Sequence, residues 1–257
     1  MDQLGASAGW GLAVAVSLLV GAIAGATLKL PARIAAVITA FGGGVLLAAV
    51  ALELVPEADA GAGPGLAALG LLGGMIAYVG ADAWLSRDGR RAAMRRSAHE
   101  AAAGRKMEME MRPGDGEVAR GESIAVGLFI DGVPESIALG LTIAGEEIGL
   151  ALLVGILVGN VVEAYGAAQP IVMGGRSGRF AVTLLGGIGL ALALATVVGG
   201  TVLADASDEL VGTAQAIAAG AVLAVVSIAI IPHAFSEVSR WVACATVAGF
   251  VGGYLLS

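Results

Sequence analysis

Of the 257 residues, 58% are hydrophobic, 14% are charged and 41 are glycine, with a net charge of −7. Soluble domains carry about 25% charged residues, and this composition cannot supply a water-facing surface. It also excludes disorder, which needs low hydrophobicity. A collagen-like fibre is excluded because the glycines have no three-residue period, and an internal disulfide scaffold because Cys244 is the single cysteine. What remains is an all-α, polytopic membrane protein.

A spanning helix needs about 20 mostly apolar residues. Eight stretches qualify in chain order: 8–27, 33–55, 64–85, 123–145, 148–173, 180–203, 209–231 and 238–256. The chain divides accordingly into spans one to three (1–85), a basic loop (86–122), spans four and five (123–173) and the last three spans (174–257). The other loops are short, so sequence neighbours pair as antiparallel hairpins. No Lys or Arg precedes the first apolar run, so no signal peptide is expected.

Lys and Arg set orientation. All 14 fall in or beside alternate loops: Lys29 and Arg33, then nine residues from Arg87 to Arg120, then Arg176 and Arg179, then Arg240. The opposite loops carry only acids: Glu57 and Asp59, then Glu146 and Glu147, then Asp205, Asp208 and Glu209. Eight spans then place both termini outside and the basic loop in the cytosol. The alanine-rich composition suggests a bacterial plasma (inner) membrane. The basic loop reads as a solvated linker, with anionic lipid or a partner as the alternative. Its Lys106–Met111 stretch could hold a soft metal through Met107, Met109 and Met111, but a solvated segment is the simpler reading. His99 is the only histidine there.

Two repeats are visible. A shift of 176 aligns GVLLAAVALELVPEA at 44–58 with GAVLAVVSIAIIPHA at 220–234, pairing Pro56 with Pro232. Residues 132–136 resemble 160–164. Each pair lies in spans of opposite direction, so the repeat is inverted, in a 3+2+3 arrangement.

Charges inside a membrane cost about 2.5–3.5 kcal/mol each on insertion scales and usually face protein. Span four carries Asp131 and Glu135, spaced i, i+4. Span five carries Asn160 and Glu163, spaced i, i+3. Each pair shares a helix face, and a short connection lets the faces meet. No Lys or Arg lies mid-span. The acids are either protonated or hold a cation. Pro134 also frees the Ile130 carbonyl, an interrupted-helix device. A hydrogen-bond network joining two helices is the alternative, although such a network rarely needs three acids.

Other polar residues have plainer readings. Asp82 snorkels to the cytosolic edge. Glu53 and Glu57 form an outer vestibule or a solvated helix end. Ser227 lines a path or bonds its own backbone, and His233 with Glu237 is an exit pair or a wet interfacial one. The chain has no Walker A sequence, and Gly5–Gly9 fits a nucleophile-elbow pattern without the strand that pattern needs. The chain is not expected to be an enzyme or to bind nucleic acid.

The sequence resembles the ZIP (Zrt/Irt-like) metal transporters. The likeness rests on FGGGVLLAAVALELVPEA at 41–58, IDGVPESIALG at 130–140, GNVVEAYG at 159–166 and AAGAVLAVVSIAIIP at 218–232. Where the family commonly reads His-Asn-x-Pro-Glu-Gly, this chain has Asp131, Gly132, Val133, Pro134, Glu135 and Ser136. Asn160, Val161, Val162 and Glu163 match the span-five motif without its proline. The helix-seven His-Glu pair often found in the family falls on Ile228 and Ala229, and span six has no acid. The resemblance therefore implies one site, Asp131, Glu135, Asn160 and Glu163, in place of the family's two-metal centre. It implies a homodimer in the lipid bilayer, and spans one, four, five and six moving against the rest. No prosthetic group is expected, and the metal is cargo.

The family implies zinc, yet an all-oxygen ligand set suits harder ions such as Mn²⁺, Mg²⁺ or Ca²⁺, with Fe²⁺ possible. The expectation is a secondary transporter moving a divalent cation into the cytosol. Two other readings stay open. One is a transport-dead membrane metal sensor or assembly partner. The other is a carrier of protons or a small cationic solute.

Overall fold

Without water, a backbone in lipid must satisfy its own polar groups, and uninterrupted apolar runs do so as helices. A computed structural model of the chain describes residues 3–28, 31–85, 115–144, 150–202 and 206–257. Every regular element among them is helical: α1 Gln3–Thr27, α2 Ala32–Ala49, α3 Val55–Leu85, α4 Asp115–Ala144, α5 Leu150–Met173, α6 Gly178–Thr201, α7 Asp208–Val225, α8 Ile231–Val238 and α9 Trp241–Leu256. Two five-residue π-helical segments, Val50–Leu54 and Val226–Ile230, join α2 to α3 and α7 to α8. Ser177 and Ser207 cap α6 and α7 by accepting the Phe180 and Leu210 amides.

Several boundaries differ from the hydropathy reading. The fourth helix begins at Asp115, so residues 115–122, assigned to the basic loop, are helical. Residues 86–114 of that loop, with His99 and the methionines, lie outside the described residues. The second helix passes 55 and runs to the break at Gly63, and the seventh passes 231 and runs to Val238. Hydropathy misplaces these two ends because polar residues close each helix.

The prolines explain the π-helical segments. Pro56 has no N–H for the Leu52 carbonyl, and Pro232 has none for Ile228. The ladder widens instead, so that Val55 N–H bonds the Val50 carbonyl and Ile231 N–H bonds the Val226 carbonyl. Each helix then stops at a residue with positive φ, Gly63 (φ 77°) or Ser239 (φ 54°). All three features are offset by the 176 residues of the sequence repeat: Val50 and Val226, Pro56 and Pro232, Gly63 and Ser239.

Packing is close because glycine brings backbones together. Gly70 lies against Thr213 and Ala216, and Gly74 against Ile217 and Ala221, which joins α3 to α7 in parallel. Gly249 against Phe41 and Gly253 against Val45 and Ala48 join α2 to α9, also in parallel. Gly11 against Ala193, with Gly189 against Ala15, sets α1 and α6 antiparallel. Gly21 against Val161 and Gly25 against Tyr165 run α1 parallel to α5. Gly132 against Leu192 and Gly140 against Thr196 and Gly199 do the same for α4 and α6. Helices α4 and α5 lie at the centre: α5 touches α1, α2, α4, α6 and α9, while α4 touches α1, α3, α5, α6 and α7.

One apolar core runs through these helices, from Leu18 and Leu46 to Leu139, Ile156 and Val222. Outside it, leucines such as Leu69, Leu190, Leu194 and Leu255 are exposed. Six helical stretches are apolar and long enough to cross a membrane: Leu4–Thr27, Arg33–Ala81, Ile124–Ile143, Leu150–Met173, Gly178–Thr201 and Asp208–Val238. Trp241–Leu256 is a shorter apolar helix. Surface leucine on helices of this length has hydrocarbon as its natural solvent, so the chain is a multi-pass, all-helical membrane protein.

Candidate metal site

Helices α4 and α5 carry the four expected site residues. Near one end of the pair, Gly121 of α4 sits against Ala167 and Ile171 of α5, so the two helices run antiparallel. Asn160 lies seven and eleven residues before Ala167 and Ile171, on the same face of α5. It therefore faces α4. Glu135 lies fourteen residues after Gly121, with buried Leu128 midway, on the stripe of α4 that faces α5. Moving that distance from Gly121 along α4 and back from Ala167 and Ile171 along α5 sets Glu135 level with residues 153–157 and Asp131 level with residues 157–161, so Asn160 lies opposite the Asp131 turn and one to two turns from Glu135.

Burial agrees with this placement. Glu135 is 6% exposed and Asn160 3% exposed. Glu163, one turn along from Asn160, is half-buried. Asp131 belongs to helix α4, and its side chain lies outside the described groups. The Asn160 Nδ2 finds no hydrogen-bond partner, although buried amides normally do. The Ser136 Oγ, beside Glu135, is likewise fully buried without one. Ser136 was not anticipated from the sequence, because a helical serine usually bonds its own backbone. Only burial without such a bond singles it out.

Among the described residues, no three His, Cys, Asp or Glu side chains gather into a metal-binding cluster. Glu135 and Glu163 are two carboxylates, Asn160 adds an amide, and Asp131 is the remaining expected ligand. Pro134 does not interrupt its helix, because Asp115–Ala144 is α-helical throughout. The breaks expected there occur instead as the π-helical segments before Pro56 and Pro232. The Ile130 carbonyl still lacks the donor that Pro134 cannot supply.

The secondary candidates resolve differently. Glu53 is neither a vestibule lining nor a solvated end. Its Oε1 accepts the Ala151 amide and its Oε2 the Leu152 amide, each at 3.3 Å. Glu57 accepts from Nε2 of buried Gln215, which links the second and seventh helices. Ser227 and His233 are exposed and Glu237 is half-buried. The Asp82 side chain lies outside the described groups. Ser7, centre of the elbow-like motif, is fully buried within α1 and packs against Gly200, far from the exposed strand-to-helix turn a nucleophile needs.

A buried acid, Glu135, and a buried amide, Asn160, on two central apolar helices define the class: a multi-pass membrane protein with polar groups at its centre. Comparison with protein families and with characterised proteins finds no match for this chain.

Proposed function

We propose that the chain is a secondary transporter, similar to the ZIP family, that passes a divalent metal cation into the cytosol between α4 and α5. The observation that carries this reading is that Glu135 and Asn160 are both buried, within one to two turns of each other in level, on the two central helices that pack together. Both lie in apolar spans that have no Lys or Arg at mid-depth. A cation offers the charge such a site needs. Glu135, Glu163, Asp131 and Asn160 would bind through oxygen, and Ser136 is available beside them. Oxygen ligands favour manganese, magnesium, calcium or iron over the zinc typical of the family.

We infer eight crossings. The 49-residue stretch Arg33–Ala81 is about twice what a bilayer accommodates, and Gly63 divides it. The directions of packed helices support strict alternation. Odd-numbered crossings run parallel to odd ones, even to even, and mixed pairs antiparallel. The shared 176-residue offset of π-helical segment, proline and positive-φ stop supports an inverted 3+2+3 repeat. The Lys and Arg distribution supports outside termini and a cytosolic 86–114 segment.

The test is metal content. The purified protein, exposed to a mixture of divalent ions, should retain one ion species in stoichiometric amount by mass spectrometry. Glu135→Gln/Glu163→Gln should lose it while eluting as the same folded species. No metal in either protein would defeat the cation site and leave a proton-linked carrier or a transport-inactive partner protein. Bound metal without uptake into vesicles would leave the sensor reading.

A further inference from the structure

The second helix approaches α5 along a ladder of contacts. Gly42 lies against Gly159, Leu46 against Gly155, and Glu53 against Ala151 and Leu152. The first two rungs are small or apolar and leave the helices free to slide. The third is different in kind: a carboxylate on two amides of the first turn of α5, which α5 cannot satisfy internally. Opposite charge on a helix N-terminus strengthens this bond. Glu53 reaches these amides from inside the π-helical segment Val50–Leu54, one residue before buried Leu54.

The repeat makes this contact informative. Shifted by 176, Glu53 falls on Ala229, at the same fourth position of the other π-helical segment. Alanine has no group with which to hold α4 in the corresponding way. The two halves share proline, π-helical segment and positive-φ stop, but only one carries the carboxylate.

We propose that Glu53 is a strap that closes the route between the second and fifth helices at the outer end of the molecule. The inference rests on the transporter reading for its meaning. A site between α4 and α5 must be reached alternately from each side, and a helix tied at one end opens only when the tie is released. With the outer end tied and the inner end lacking the equivalent group, this structure is the outward-closed state. Release of Glu53 from the two amides accompanies opening.

The test reads distance and requires no cargo. Spin labels are placed at Leu52→Cys and Leu150→Cys, whose native side chains are 38% and 46% exposed, in a Cys244→Ser background. The otherwise wild-type protein should give one short interhelical distance. Glu53→Ala should add a longer-distance population, raising its weight about tenfold, the scale of a lost charged hydrogen-bond pair. Glu53→Gln keeps one acceptor and should fall between. A folded Glu53→Ala protein with an unchanged distance distribution, even with a lower melting temperature, would overturn the strap and make Glu53 a simple helix cap. If Glu53→Ala does not fold, Glu53→Gln decides on the same criterion. Because the distances are measured without metal, a shift on Glu53 substitution stands even if the metal-content test fails.

Discussion

At the scale of single residues, the two positive-φ stops are a matched pair with different chemistry. Gly63 (φ 77°) has no Cβ to clash, whereas Ser239 (φ 54°) does. A non-glycine residue held in such a region costs about 1–3 kcal/mol. Ser239→Gly should therefore raise stability by about 1 kcal/mol, seen as a higher melting temperature in detergent. Gly63→Ala should lower it by a similar amount. The four polar residues of the candidate site were legible as residues, because an acid in an apolar span stands out whatever surrounds it. The role of Glu53 was not legible. Nothing in its neighbourhood in the chain says that its partners are amides about a hundred positions away.

At the scale of elements, glycine placement decides which helix faces meet. Gly220 lies so close to the backbone of Leu71 that a side chain there must push α3 and α7 apart. Gly73, three residues from Gly70 and next to Gly74, has open space where a Cβ would be. Gly220→Leu should abolish the folded peak in size-exclusion chromatography. Gly73→Ala should leave it intact and be neutral or stabilising by up to about 1 kcal/mol. Helix positions followed from hydropathy, but several ends did not. Residues 115–122 are polar enough to resemble loop, and the second and seventh helices owe their ends to backbone angles at Gly63 and Ser239. The π-helical segments were hidden for a related reason. Proline signals a missing donor, but whether the helix kinks, ends or widens depends on what packs beside it.

At the scale of the whole molecule, alternation of charge between loops and alternation of direction between packed helices agree. They yield a topology that labelling can check. In a Cys244→Ser background, a cysteine at Asp59 should react with a membrane-impermeant maleimide on intact cells. A cysteine at Ser97, in the basic loop, should react only after permeabilisation. The reverse pattern would invert the molecule and put the Glu53 contact on the cytosolic side. Equal labelling at both sites would argue against an odd number of crossings between positions 59 and 97.

The sequence by itself determined that the chain is a helical membrane protein. It also marked the apolar spans, the 176-residue repeat and the acids that stand out within it. These are properties of composition and spacing, which survive any arrangement of the helices because apolar surface must leave water and buried charge must be exceptional. Only the tertiary structure decided that α4 and α5 lie at the centre, that Asn160 turns toward α4, and that Glu53 ties the second helix to the fifth. Those facts depend on close approach between segments distant in the chain, set by where glycines let backbones touch. Apolar residues carry no direction in sequence, so which of their faces meet is a question that packing alone answers.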